Sequence, residues 1–285
     1  RRSSDLGETT CDGKKKMFEF LGRIKDVHVM HLPNVQDEAG KVLWKGEILR
    51  LKERLEEKFG ISISDESVRL AVRKNNQIRK ALKEFCGLMK QDPVPMSGYE
   101  LFQVLYGSWF KLYTDEILTE VQNLTERIRK ETQSRRTTSG PRILITGCPI
   151  GGVVDKVVKT AKTCGATVAA FENCNGMKAF DRLVDEEAED IYEALADYYL
   201  QIGCSVMSPD RNRMALLKEM IREYRIDGVI EVVLTACHTY MIESGVVGQM
   251  VREECQVPYL CLETDYSTAD KGQLKTRMEA FVEML

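Results

Sequence analysis

Arg142-Ile143-Leu144-Ile145-Thr146-Gly147-Cys148-Pro149-Ile150-Gly151-Gly152 is an apolar run that halts at a glycine, turns through Cys-Pro and enters a helix over two more glycines. A short run of branched apolar residues bounded by turn formers reads as a strand buried on both faces, the kind found in parallel sheets. Downstream, strand and helix patterns alternate. Helix Val153 to Thr163 is followed by strand Thr167 to Phe171, helix Asp190 to Gln201 and a short segment at Cys204 to Met207. Then come helix Arg213 to Tyr224, strand Val229 to Leu234, helix Ile242 to Glu254, strand Tyr259 to Leu262 and helix Leu274 to Met284. Such alternation predicts an α/β fold, a parallel sheet with helices on both faces.

Upstream the rhythm is more helical. Lys14 to Leu21 reads as a helix and Val27 to Leu32 as a strand stopped by Pro33. Leu51, Leu55 and Phe59 mark a helix closed by Gly60, and a second begins at Ser64 with an apolar stripe of Ile78, Leu82, Phe85, Cys86 and Met89. Tyr99 to Phe110 reads as helical, and Thr114 caps a helix carrying Ile117, Val121, Leu124 and Ile128. Gln133 to Pro141 has the polar composition of a surface connection. The expected organisation is an N-terminal α/β domain with a helical segment over 1–133, a linker over 134–141 and a C-terminal α/β domain over 142–285. Because the chain opens Arg1-Arg2-Ser3-Ser4 without an initiator Met and reaches Cys11 with no complete strand before it, the first domain is expected to be incomplete.

The composition narrows the partners. With 285 residues, 43% of them apolar and 7% aromatic, there is material for two ordinary cores. Forty-one basic residues against 44 acidic ones leave a formal charge of −3, which gives no general attraction to nucleic acid or an anionic membrane. No run of about 18 apolar residues occurs, and the N-terminus is too polar for a signal peptide, so the reading is a cytoplasmic protein.

Nine cysteines in such a chain are ligands, redox groups or core filler and not a disulfide framework. Cys148 and Cys174 follow strand patterns, Cys237 ends another, Cys11 precedes a helix at Asp12-Gly13, and Cys204 stands between elements. In an open parallel sheet, chemistry collects outside the carboxyl ends of the strands, so thiols delivered there converge although distant in sequence. Lone cysteines are more often buried filler than ligands, but five at joins between elements point to metal or redox chemistry. Cys86, Cys164, Cys255 and Cys261 are accounted for by packing. Structural zinc uses closely spaced pairs such as CxxC, which are absent, whereas iron-sulfur clusters accept thiolates from distant segments.

Gly151 and Gly152 at a helix entry let backbone N–H groups approach an anionic cluster closely. Lys14, Lys15 and Lys16 either lower the pKa of Cys11 or form a solvated face. His28 and His31 read as surface or core residues, and His238, beside Cys237, as a proton donor or a hydrogen-bond partner to sulfur. Glu263 and Asp265 are candidate general acids, or parts of a capped turn before the last helix. Neither a G-x-G-x-x-G fingerprint nor a G-x-x-x-x-G-K-[ST] loop is present, so no ATP site is visible.

Taken in order, Thr9-Thr10-Cys11-Asp12-Gly13-Lys14, Gly147-Cys148-Pro149-Ile150-Gly151-Gly152, Phe171-Glu172-Asn173-Cys174, Ala236-Cys237-His238-Thr239-Tyr240 and Glu263-Thr264-Asp265-Tyr266-Ser267 resemble the 2-hydroxyacyl-CoA dehydratase family. The GCPxGG element is most similar to its double-cubane cluster branch, which is related to the dehydratase and benzoyl-CoA reductase subunits. The resemblance implies two Rossmann-like, flavodoxin-like halves with a cluster between them, either 4Fe-4S or a bridged 8Fe-9S double cubane bound by six cysteines. Carried over by position, the ligands are Cys11, Cys148, Cys174, Cys204 and Cys237, with a sixth from an N-terminal stretch not in this sequence. It also implies a separate ATP-hydrolysing iron-sulfur activator, in agreement with the missing phosphate loop, and a homodimer or heterodimer.

The function expected is an iron-sulfur reductase that receives low-potential electrons from that activator and reduces a small molecule. The alternatives are a subunit of a 2-hydroxyacyl-CoA dehydratase, which acts on an acyl-CoA through a ketyl radical, and a non-catalytic electron carrier.

Overall fold

Alternating apolar runs and amphipathic stripes give alternating strands and helices. The computed structural model describes residues 5–111, 114–131 and 140–285. The first elements are β1 (Asp5–Glu8), α1 (Asp12–Leu21), β2 (Val27–Met30), α2 (Glu38–Phe59), α3 (Asp65–Gly87), α4 (Gly98–Ser108) and α5 (Thr114–Glu131). Next are β3 (Arg142–Gly147), α6 (Val154–Thr163), β4 (Thr167–Phe171), α7 (Ile191–Leu200) and α8 (Arg211–Glu223). The chain continues through β5 (Gly228–Leu234), α9 (His238–Glu253), β6 (Tyr259–Thr264) and α10 (Lys271–Val282). All strand pairings are parallel, so the α/β expectation stands. Several helix ends are written locally. Asp37 accepts from Gly40 N at the start of α2, Gly60 closes it at φ +64°, and Ser97 and Glu100 form a reciprocal capping box at α4.

The chain forms two units, each assembled from two stretches: residues 1–76 with 183–212, and residues 77–182 with 213–285. This division does not follow the single linker expected at 134–141, of which 134–139 lie outside the described residues. The physical reason is packing. Leu101, Phe102 and Leu105 of α4 and Ile117, Val121 and Ile128 of α5 are buried in the same core as β3 and β4. A polar connection marks exposure, but it does not say which core the helices before it join.

In the smaller unit β1 and β2 pair in parallel from Asp5↔Val27 to Glu8↔Met30, with α1 as the crossover. A four-residue strand therefore does precede Cys11, where the sequence reading expects no complete one. Met30 and Trp44 pack with Ala196, Leu200 and Met207, joining β2 and α2 to α7. Asn76, wholly buried, donates to Val184 O at 2.8 Å and accepts from Val184 N at 3.1 Å, which ties α3 to the returning stretch.

The larger unit holds a four-stranded parallel sheet in the order β4-β3-β5-β6. Ile143, Leu144 and Ile145 are wholly buried, as is most of β5, as a sheet covered on both faces requires. Counted within the unit, the order is 2-1-3-4, the flavodoxin-like pattern. Since crossovers are right-handed, α6 lies on one face and α8 and α9 on the other, and α10 packs on α6. The chain reverses direction between β3 and β5. That switch point is where a crevice opens at the carboxyl ends of the strands.

Candidate functional site

The larger unit places Cys148, Cys174 and Cys237 just beyond β3, β4 and β5, so two of them flank the switch point. Gly147 ends β3 at φ +101°, and a Cβ there would stand 2.2 Å from Val232 O, so only glycine fits this turn. Cys148 N then donates to Val232 O at 2.8 Å, extending the ladder by one residue and pinning a thiol that is 1% exposed. Its Sγ accepts from Leu234 N at 3.4 Å. On the neighbouring strand, Ala236 adopts the left-handed region at φ +69°, and Cys237 follows as the N-cap of α9. A non-glycine residue held there costs of order 1–3 kcal/mol, so the surrounding bonds over-determine the turn.

The three sulfurs act on one another. A hydrogen bond from Cys148 to Cys237, together with burial, pushes the Cys148 thiol up, and the negative charges of Cys237 and Cys174 add to that. The same hydrogen bond holds Cys237 below the ordinary thiol range against burial, helped by the Tyr240 backbone N–H and the Thr239 hydroxyl. The pair thus favours negative charge at Cys237 over Cys148. Cys174 Sγ lies 3.8 Å from Tyr240 Oη. Beside it Asn173 is fully buried, and among the described residues neither of its side-chain amide atoms has a hydrogen-bond partner. A buried amide of that kind fits a polar guest, such as cluster sulfide, next to Cys174. Among the described residues, no three Cys, His, Asp or Glu side chains are grouped as a single metal ion needs.

Behind the thiols, on the face covered by α8 and α9, lies a buried ionic network. Arg213 of α8 is completely buried and donates to Glu231 Oε1 at 2.8 Å, to Thr146 Oγ1 at 2.9 Å and to Glu243. Glu172, the residue after β4, accepts from Thr146 Oγ1 and pairs with Lys178 Nζ at 3.3 Å and Arg213 Nε at 3.5 Å. Burial alone would raise the pKa of Glu172, but Lys178, Arg213 and the Thr146 hydroxyl outweigh it and hold the carboxyl below the usual range. Burial dominates instead at Glu243 and raises its pKa despite Arg213. Tyr259 Oη donates to Glu231 Oε2 at 2.6 Å, and Lys178 Nζ donates to Tyr240 Oη at 2.8 Å.

The other residues singled out in the sequence fall into separate places. A Cβ on Gly151 would strike the Tyr106 ring at 2.4 Å, and one on Gly152 the Tyr266 ring at 2.4 Å, so both glycines admit close aromatic neighbours. His238 is the first residue of α9 and is exposed. Glu263 and Asp265 are exposed too. Asp265 Oδ1 accepts from Ser267 N at 2.8 Å, and buried Lys156 fixes the loop by donating to Asp265 O at 2.6 Å, Ser267 O at 2.8 Å and Asp270 Oδ1 at 2.7 Å. Of the two readings offered for Asp265, the geometry is that of the turn. Cys86 is buried in the main core and burial pushes its thiol up to about 12, while Cys261 packs beside Cys148 and Tyr240.

In the smaller unit, half-buried Cys11 is the N-cap of α1. Lys14 pairs with Glu8, Lys15 with Asp12 and Lys16 with Glu19, all at the surface, as a solvated face would. Cys204 does not stand at a strand end: it lies in the turn between α7 and α8, so its position is not equivalent to the other four.

Sequence reasoning missed Glu172, Lys178, Arg213, Glu231, Tyr240 and Lys156. A glutamate inside Val229-Ile230-Glu231-Val232-Val233 was a readable signal, because a carboxylate within a two-face-buried strand demands a partner. The cations carried no such mark. A concavity of about 410 Å³ between α4 and α6 lies at the amino end of β4, where Thr167 and Val168 line it, and takes no part in the thiol site.

The comparisons agree over nearly the whole length. The family described as 2-hydroxyglutaryl-CoA dehydratase, D-component, matches residues 6–285. The chain is 48% identical over 286 residues to YjiM of Escherichia coli (strain K12), provisionally named a dehydratase subunit, covering 99% of this chain and 74% of that protein. It is 24% identical over 282 residues to the (R)-phenyllactyl-CoA dehydratase beta subunit of Clostridium sporogenes, covering 96% and 73%. To the beta subunit of (R)-2-hydroxyglutaryl-CoA dehydratase of Acidaminococcus fermentans it is 22% identical over 287 residues, covering 96% and 74%.

Proposed function

The chain belongs to the 2-hydroxyglutaryl-CoA dehydratase D-component family, and from that premise we propose that it is the iron-sulfur subunit of a dehydratase acting on a 2-hydroxyacyl thioester. The observation that carries the reading is the arrival of Cys148, Cys174 and Cys237 at adjacent parallel strand ends, each within electrostatic or hydrogen-bond reach of another or of Tyr240. Thiolates from distant segments, spread around an extended volume, suit an iron-sulfur cluster of the 4Fe-4S or bridged 8Fe-9S kind better than one zinc ion. The buried Asn173 amide, without a hydrogen-bond partner among the described residues, supports the same reading. When bound, such a group supplies one-electron chemistry at low potential.

The chain's own residues then have definable tasks. Cys148, Cys174 and Cys237 of the larger unit hold the group. The backbone at Gly151 and Gly152 gives close approach at the entry to α6, with Tyr106 and Tyr266 against it. His238 is assigned proton delivery, a reading supported by its exposure at the start of α9 beside Cys237. Glu263, exposed at the outer edge of the same sheet end, is assigned a proton relay, while Asp265 holds the turn beside it. Electrons come from a separate ATP-hydrolysing activator, in keeping with the missing phosphate loop, and the beta-subunit names of two relatives support a second subunit.

The residues alone favour small-molecule reduction over dehydration, and the relatives' names support dehydration. The test is iron and sulfide content of anaerobically prepared protein, followed by turnover with activator, ATP, partner subunit and a 2-hydroxyacyl-CoA. Cys148→Ser removes iron and Cys86→Ser keeps it, and an enoyl-CoA product forms. Equal loss in both variants defeats the ligand assignment. Iron-replete protein that forms no enoyl-CoA but reduces small unsaturated compounds returns the reductase to first place.

A further inference from the structure

One part of the thiol site is used by none of these ligand assignments. Lys178 lies in the short turn after Cys174, with its side chain 2% exposed, and its Nζ donates to Tyr240 Oη at 2.8 Å. Tyr240, in the first turn of α9, is buried, and the same Oη is 3.8 Å from Cys174 Sγ. An ammonium has donors and no acceptor. Its contact with Tyr240 therefore occupies an oxygen lone pair, and a hydrogen bond between Tyr240 and a thiolate at Cys174 takes its hydrogen from the phenol. Cys174 Sγ lies within reach of that hydrogen.

The surroundings hold this chain of donors in place. Glu172 pairs with Lys178 at 3.3 Å, and the Arg213 guanidinium lies 4.9 Å from the centre of the Tyr240 ring. Arg213 is fixed in turn by Glu231 and Glu243. All of these groups are buried or nearly so, which keeps water from screening their effect on the sulfur and strengthens each hydrogen bond.

We propose that Lys178 and Tyr240 tune the reduction potential of the group that Cys174 ligates, Tyr240 donating an O–H···S hydrogen bond whose strength the Lys178 ammonium raises. The proposal rests on the reading of Cys174 as a cluster ligand. Tyr240 is a positioning residue: it acts through the sulfur and touches no substrate. A hydrogen bond to a ligand sulfur offsets negative charge and favours the state that carries one more electron. Reduction adds that electron while the proton stays on Tyr240 and no covalent bond changes. Removing the donor therefore lowers the potential.

The experiment is an anaerobic potentiometric titration followed by electron paramagnetic resonance, with iron and sulfide counted in every sample. Tyr240→Phe is expected to keep its iron and to show about a tenfold smaller ratio of reduced to oxidised cluster at the wild-type midpoint, which is about 59 mV for a one-electron couple. Lys178→Met is expected to shift the same way, and Lys178→Arg, which keeps charge and donors, to stay near wild type. An unchanged potential in iron-replete Tyr240→Phe overturns the proposal alone. Loss of iron in Tyr240→Phe overturns it as well, since Tyr240 would then hold the site together and not tune it. An unchanged potential in iron-replete Lys178→Met overturns the lysine's part. Wild-type protein free of iron and sulfide overturns the ligand reading, and the proposal with it.

Discussion

Both units carry a cysteine just past a parallel strand, but they surround it differently. In the larger unit Cys148, Cys174 and Cys237 stand over a sheet buried on both faces and are backed by Glu172, Lys178, Arg213 and Glu231, all buried. In the smaller unit Cys11 follows a two-stranded sheet and has surface lysines around it, each paired with its own carboxylate. The difference separates a preorganised thiol environment from a solvated one. Buried charges at fixed distances hold their field constant, whereas exposed pairs are averaged by water and salt.

Breaking the buried network is the largest expected effect. Arg213→Met leaves Glu172, Glu231 and Glu243 without their common cation, and removing one partner from a buried ionic cluster costs about 3–5 kcal/mol. Urea unfolding of the metal-free protein measures it. A loss under about 1 kcal/mol would show that the network is far more hydrated than its burial indicates. The same network predicts a pH response. Because the folded pKa of Glu172 is lowered, its stabilisation is fully present above the unfolded carboxylate value of about 4.3 and is lost as pH falls through the folded value. The gap in stability between wild type and Glu172→Gln should therefore shrink as pH is lowered below about 4. A gap that widens in acid would reverse the assigned sign.

A smaller effect tests the turn that presents Cys148. Gly147→Ala puts a Cβ 2.2 Å from Val232 O at a positive φ and is expected to cost about 1–3 kcal/mol, with loss of bound iron. In the smaller unit Gly46 sits inside α2, and a Cβ there meets nothing within 4 Å, so Gly46→Ala should stabilise by up to about 1 kcal/mol and leave iron untouched. Matching thermal melts and iron assays for the two variants would erase the contrast.

What could be read from the residues follows the range of the interaction concerned. The strands of the larger sheet were legible because covering both faces demands continuous apolar runs, and Gly60 marks a helix end by local chemistry. Three thiols at strand ends were legible for the same reason, as each turn is written next to its strand. β1 was not, because Asp5-Leu6-Gly7-Glu8 has little strand propensity and exists through its pairing with β2. The unit boundary was hidden, since an amphipathic stripe on α4 or α5 announces a buried face without naming what buries it. Cys204 lies in a turn between helices, and the sequence marks such a join in the same way as a strand end. Lys178 and Arg213 look like ordinary surface cations along the chain, and only the fold gathers them behind Cys174.

The smallest effect belongs to the smaller unit. Lys14 and Glu8 form an ion pair near Cys11, with side chains 40% and 36% exposed. An exposed pair of this kind is worth at most about 1 kcal/mol, because its attraction is weakened by water and opposed by the entropy of holding two long side chains together. Lys14→Ala should thus change stability by less than that at 0.15 M salt, and by nothing measurable at 1 M, where the screening length falls to about 3 Å. The buried counterpart is screened far less, so the deficit of Arg213→Met should persist at 1 M salt. If salt were to remove both deficits alike, the two cysteine environments would be the same kind of place, and their contrast would not support the proposed cluster in the larger unit.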